Sequence, residues 1–156
     1  MDILKTLKKL GGCAGGVVIY NAAKYAAAVA NAFKDTNKLK SATQARFRPL
    51  FPQLNLGKVR VRPGCTLPGN WFTSPNDVAA MTIGYTIYCK GTHMQSTNAK
   101  LNILMHELVH VDQVRRRGDD EEKFACDYGK GYIAGGSYSK NPMEVEAKDF
   151  VDNHHF

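Results

Sequence analysis

The chain has 156 residues and a formal net charge of +7, and its apolar share is ordinary for a protein with a buried core, which excludes wholesale disorder. The charge is uneven: residues 1–62 hold 12 Lys/Arg against two acids, and residues 63–156 hold 9 against 12. The basic N-terminal part suits an anionic membrane surface or an acidic partner, a solvated basic surface being the plain alternative, and the length fits one domain with an N-terminal extension.

In chain order, residues 2–10 place Ile3, Leu4, Leu7 and Leu10 on one helical stripe with Lys5, Lys8 and Lys9 opposite, and Gly11-Gly12 interrupts it. An Ala-rich stretch from Ala14 to Phe33 follows, strongly helical by propensity and uncharged except for Lys24. It reads as a packed or interfacial helix, a short membrane segment, or a signal peptide ending at Ala28-Val29-Ala30. Bacterial cytoplasm and export both fit these readings. Residues 34–50 are basic and polar, a connector or short helix.

Lys58–Arg62 alternates and stops at Pro63-Gly64, a strand before a turn. Residues 63–78 form a loop expected to pack through Trp71 and Phe72. Residues 79–90 are β-branched and aromatic-rich, with Gly84 marking a hairpin bend or bulge.

From Asn98, a fair N-cap, the chain turns helical, apolar nearly all round and therefore buried on both sides. Arg115–Arg117 and Gly118 close that helix, and Asp119–Glu122 open a second carrying Phe124, Tyr128 and Tyr132 at i, i+4 and i+8. These adjacent basic and acidic runs are helix-end charges rather than a binding patch, so nucleic acid is not an expected partner. Gly135-Gly136 stops the second helix. Asn141-Pro142 opens a third, with Asn141 as N-cap and Glu144 at the capping-box position.

The strongest signal is His106-Glu107-Leu108-Val109-His110. On a helix, residues i and i+4 share a face, so both imidazoles reach one metal ion while Glu107 stays beside it. Zinc held by three side chains keeps a position for water and lowers its pKa, and a nearby carboxylate takes the proton as the water attacks a carbonyl. The residues after His110 do not continue the metzincin pattern, so the third ligand belongs to a later helix. Glu144 and Glu146 flank the core-facing stripe of Met143, Ala147 and Phe150 almost symmetrically, and helical geometry does not separate them. Cys13, Cys65, Cys89 and Cys126 form no C-x-x-C, which argues against a cysteine zinc knuckle. Cys65 and Cys89 could pair in an exported protein; equally, all four could be idle thiols.

From about Val59 to Val151 the chain resembles the bacterial H-E-x-x-H domain family named for extracellular contractile injection systems, the eCIS-core type, a metallopeptidase family of the gluzincin kind. The matching pieces are Val59–Val61, Met81–Tyr88, His106–Gln113 and Asn141–Ala147. The last is also similar to the E-x-x-A-D segment of HtpX-type metallopeptidases, and aligning Ala147 with its alanine puts Glu144 on the metal. Lys148 stands where those enzymes carry an aspartate that orients a ligand histidine, which leaves Asp112 or Asp149 to supply that contact. The resemblance implies an edge strand at Ala80–Cys89 for a peptide substrate. Tyr138 or Tyr132 could stabilise an oxyanion, although packing is the commoner role for either. His154 and His155 read as incidental surface histidines.

The expected fold is therefore α+β: a helical extension over residues 1–45, then a gluzincin-like domain over 46–156 with a short antiparallel sheet packed on the H-E-x-x-H helix. The expected function is peptide hydrolysis with Zn2+ on His106, His110 and Glu144 and with Glu107 as general base. A non-catalytic zinc-containing interaction or delivery module, or a secreted effector associated with an injection system, is the alternative.

Overall fold

A computed structural model describes residues 2–67 and 78–156; the aromatic loop expected around Trp71 and Phe72 lies outside the described residues. Among these, six α-helices and a four-stranded sheet make an α+β architecture. Helix α1 (Ile3–Leu10) is capped by Asp2, whose side chain accepts from the Lys5 N–H. Helix α2 (Gly12–Ala30) follows directly, and no described helix is long and apolar enough to cross a membrane. The stretch over residues 34–50 forms a two-residue strand β1 (Asn37–Lys38) and helix α3 (Ser41–Phe47).

Strands β2 (Arg60–Arg62), β3 (Ala80–Ile83) and β4 (Thr86–Cys89) complete the sheet in the order β1-β2-β4-β3. The β3–β4 hairpin turns on Gly84-Tyr85, and Gly84 takes φ +57°, the positive value that a tight hairpin asks of its first central residue. The sheet is mixed, not antiparallel as expected. β2 pairs antiparallel with β1 but parallel with β4, Val61 lying opposite Ile87. The reason is topological. β2 neighbours the second strand of the hairpin rather than the first, which places the fully apolar Ile87 and Cys89 centrally and leaves β3 at the edge.

Helix α4 (Asn98–Arg115) packs against β3 on one side and α6 (Pro142–His154) on the other. Thr97 rather than Asn98 is its N-cap, the Thr97 hydroxyl accepting from the Lys100 N–H. Leu104, Met105, Leu108 and Val111 are completely buried in a core shared with Val59, Val61, Ile87 and Ala147. Asp120 caps α5 (Glu121–Gly135), and Gly136 ends it at φ +73°. Asn141 caps α6 as expected, its Oδ1 accepting from the Met143 N–H.

Helix α2 lies along α5 on a seam of small residues. A Cβ on Gly16 would sit 2.1 Å from the Ala125 carbonyl oxygen, and one on Gly129 would sit 2.0 Å from that of Gly12. Only glycine permits this approach. The seam is closed covalently by a Cys13–Cys126 disulfide spanning 113 residues. The suggested Cys65–Cys89 pair is not formed. Those thiols are free and buried, and their sulfurs face the carbonyls of Arg62 and Ile87. Burial and the nearby Glu107 carboxylate push the Cys89 thiol up to about 12.

Candidate metal centre

The site is assembled from α4, α5, α6, β3 and the 3-10 turn at Tyr138–Lys140. His106 and His110 project from one face of α4, one turn apart, with Nε2 atoms 3.2 Å from each other. Glu144, in the first turn of α6, does not close a capping box. Its carboxylate reaches across instead, with Oε2 3.1 Å from His106 Nε2 and Oε1 3.3 Å from His110 Nε2. Ligand atoms from the three residues lie within 4.8 Å of one another and could hold a metal ion.

The spacing fits such an ion closely. Donors about 2.0–2.1 Å from a tetrahedral metal stand about 3.3–3.4 Å apart along its edges. The two imidazole nitrogens, 3.2 Å apart, are close to one such edge, and each has a Glu144 oxygen beside it, Oε2 at 3.1 Å from His106 and Oε1 at 3.3 Å from His110. His110 and Glu144 are buried, whereas the His106 side chain is 25% exposed, so the site opens beside His106.

Charge favours a cation there. Burial alone would disfavour a charged His110, but the hydrogen-bonded Glu144 carboxylate outweighs it and pushes the imidazole up to about 9. Glu144, despite its burial, is held well below the usual carboxylate range by His110 and His106. A carboxylate that draws a proton onto its neighbour will equally draw a metal ion between them.

Gln113 determines which ring nitrogen is presented. Its Nε2 is committed to the Met143 carbonyl and to Glu146 Oε2, both at 3.0 Å. Its Oε1 therefore accepts from the His110 Nδ1–H at 2.9 Å, and His110 Nε2 is left facing Glu144 and His106. Asp112 and Asp149, the groups expected to orient a ligand, do not reach the histidines. Asp112 is engaged with Arg115 and Arg116, and Asp149 is exposed on the outer side of α6. Glu146 does not reach the histidines either, accepting from Arg116 through one oxygen and from Gln113 through the other, while Glu144 turns inward.

Tyr128 donates to Glu144 Oε1 at 2.6 Å. Burial, and then the Glu144 charge, push its phenol well up, so it stays a donor. Glu107 is buried beside the cluster, and the Thr82 hydroxyl lies 2.7 Å from its Oε2 and 3.1 Å from its carbonyl oxygen. Thr82 belongs to the edge strand β3, which ties that strand to the site. A cavity of about 500 Å³ opens here, lined by His106, Glu107, Tyr138, Val78, Ile103 and Val151 among others. The Tyr138 phenol is raised by burial and by the Glu144 and Glu107 carboxylates. Tyr132 faces the other way and packs with Ile3, Leu7 and Ile19.

Gln113, Tyr128 and Thr82 were not marked as site residues by sequence reasoning. Gln113 left one signal, its i+3 spacing from His110 on the same helix. Tyr128 sat in an aromatic stripe that reads equally well as packing, and Thr82 left none.

The model of the eCIS core domain matches residues 38–118, slightly more than half of the chain. The chain belongs to the eCIS core domain family. This is the family that the sequence motifs resemble. The eCIS core match takes in the sheet and the whole of α4 with His106, Glu107 and His110, and ends before Tyr128 and Glu144. No curated protein and no solved structure matches the chain.

Proposed function

We propose that this eCIS core protein is a zinc-dependent peptidase of the gluzincin type. The observation that carries the reading is the cluster of His106 Nε2, His110 Nε2 and the Glu144 carboxylate, close enough together to hold one metal ion, with Glu107 buried at its side in an open cavity. The donor set of two imidazoles and one carboxylate suits zinc, which when bound supplies Lewis acidity toward a water and a peptide carbonyl.

The remaining work falls to the chain. Glu107 takes a proton from the attacking water and returns it to the departing amine. Thr82 holds one Glu107 oxygen, leaving the other toward the cavity. The outer edge of β3 offers backbone groups to an extended peptide, placing its carbonyl beside His106. Tyr138, kept protonated by its surroundings, donates to the oxygen that gains charge.

The test is elemental analysis of the purified wild type, His110→Ala and Glu107→Gln, alongside casein cleavage. About one zinc per chain is expected in the wild type and in Glu107→Gln, and none in His110→Ala. Cleavage should fall at least about 100-fold in Glu107→Gln. A wild type that binds zinc but cleaves nothing, with Glu107→Gln indistinguishable from it, would favour a non-catalytic interaction or delivery module.

A further inference from the structure

Three of the six large apolar side chains left exposed among the described residues lie on α2. Leu10, Val18, Tyr25, Val29 and Phe33 are all between 45% and 103% exposed, and Val145, at 39%, is the other exposed large apolar side chain among the described residues. Val18, Ala22, Tyr25 and Val29 follow at i, i+4, i+7 and i+11, one continuous stripe on α2, with Phe33 just past its end. The opposite face of α2, with Gly16, Tyr20, Ala23 and Ala27, is the one against the body of the protein.

This stripe lies in a basic part of the chain. Residues 1–40 carry seven lysines against Asp2 and Asp35, a net of +5, while residues 63–156 are net negative. Six of the lysines bracket the stripe in sequence: Lys5, Lys8 and Lys9 on α1, and Lys34, Lys38 and Lys40 after α2, all exposed. The seventh, Lys24, is paired with Glu121.

We propose that the outer face of α2 is a docking surface for an anionic lipid bilayer, on which the helix lies without crossing. Apolar and aromatic side chains on one face, with exposed lysines just before and after the helix in sequence, match the headgroup boundary, where rings and β-branched chains enter the acyl region and ammonium groups meet phosphates. Charge decides against a second copy on this face, since two +5 segments would be brought together. The exposure of Tyr25, Val29 and Phe33 along one stripe favours a fluid layer over a folded acidic partner. A fluid acyl layer accepts each side chain where it stands, whereas a protein surface needs a matched pocket for each.

The experiment is co-sedimentation of the full chain with vesicles of phosphatidylcholine alone and of phosphatidylcholine with phosphatidylserine. It is run on the wild type, on Tyr25→Ser/Phe33→Ser, and on Lys34→Glu/Lys38→Glu. Circular dichroism and thermal melting verify that each variant is folded, and sedimentation velocity gives its oligomeric state. Expected is binding to the anionic vesicles only, weakened at least about tenfold in both variants and further by salt. The proposal is overturned if the wild type binds neither vesicle, or if Tyr25→Ser/Phe33→Ser binds as the wild type does. It is overturned equally if the wild type is a dimer that Tyr25→Ser/Phe33→Ser makes monomeric, which would make the face a self-interface.

Discussion

Helices α2 and α4 are nearly equal in length, 19 and 18 residues, and by composition α2 is the more apolar. It carries one charged residue, Lys24, where α4 carries Lys100, Glu107, Asp112 and Arg115 as well as two histidines. Yet α4 is the buried helix. Ten of its residues are buried, including Glu107, His110 and Gln113, whereas α2 buries six, four of them Gly or Ala. The difference lies in the neighbours. α4 is enclosed by β3, α5 and α6, so even its polar groups must be satisfied internally, and they are satisfied by one another, by Thr82 of β3 and by α6. α2 leans on α5 along a glycine-rich seam, which brings the backbones close but covers little side-chain area. Composition sets how apolar a helix is, and tertiary position sets whether that matters for stability.

Substitutions can break this comparison at several strengths. Leu108→Ala, at a fully buried position in α4, should cost about 2–5 kcal/mol. Urea unfolding would measure it, and a loss below about 1 kcal/mol would mean that α4 is less tightly enclosed than described. Cys13→Ser removes the tether between α2 and α5 and should cost about 2–4 kcal/mol, because the bond closes a very long loop in the unfolded chain. An unchanged urea midpoint on reducing the wild type would show that the seam holds without it.

Tyr128→Phe deletes the hydroxyl that orients Glu144 while leaving the ring in place. Metal affinity, read by competition with a chromophoric chelator, should weaken about 10–100-fold. Unaltered affinity would show that Glu144 is placed by its helix alone. The smallest effect belongs to Tyr25→Ser on the outer face of α2, within about 0.5 kcal/mol of the wild type. A larger loss of thermal stability would reveal a partner for that face within the chain.

Much of the local structure could be read directly. The H-E-x-x-H helix, the Gly136 stop, the Asn141 cap and the Gly84 turn all follow from rules that act over a few residues. So does the common face of His106 and His110, because i and i+4 are neighbours on any α-helix. Even the amphipathic pattern of α1 was visible. Its purpose was not, since Ile3 and Leu7 are buried within the protein while the exposed apolar stripe belongs to α2.

What stayed undetermined depends on residues far apart in the chain. Helical geometry leaves Glu144 and Glu146 equivalent, and only the family resemblance favoured Glu144; the packing of α6 against α4 turns it toward the histidines and Glu146 toward Arg116. Gln113 becomes a determinant of His110 only because the Met143 carbonyl occupies its amide nitrogen. The Cys13–Cys126 bond and the parallel β2–β4 pair likewise join segments that no short-range pattern connects. By itself the sequence determined the main helices, some of their ends such as Gly136 and Asn141, and the two-histidine face, because backbone geometry links near neighbours in only a few ways. Tertiary structure alone decided the hydrogen-bonded supports of the third carboxylate and the face left to solvent, because each results from where the helices come to rest against one another.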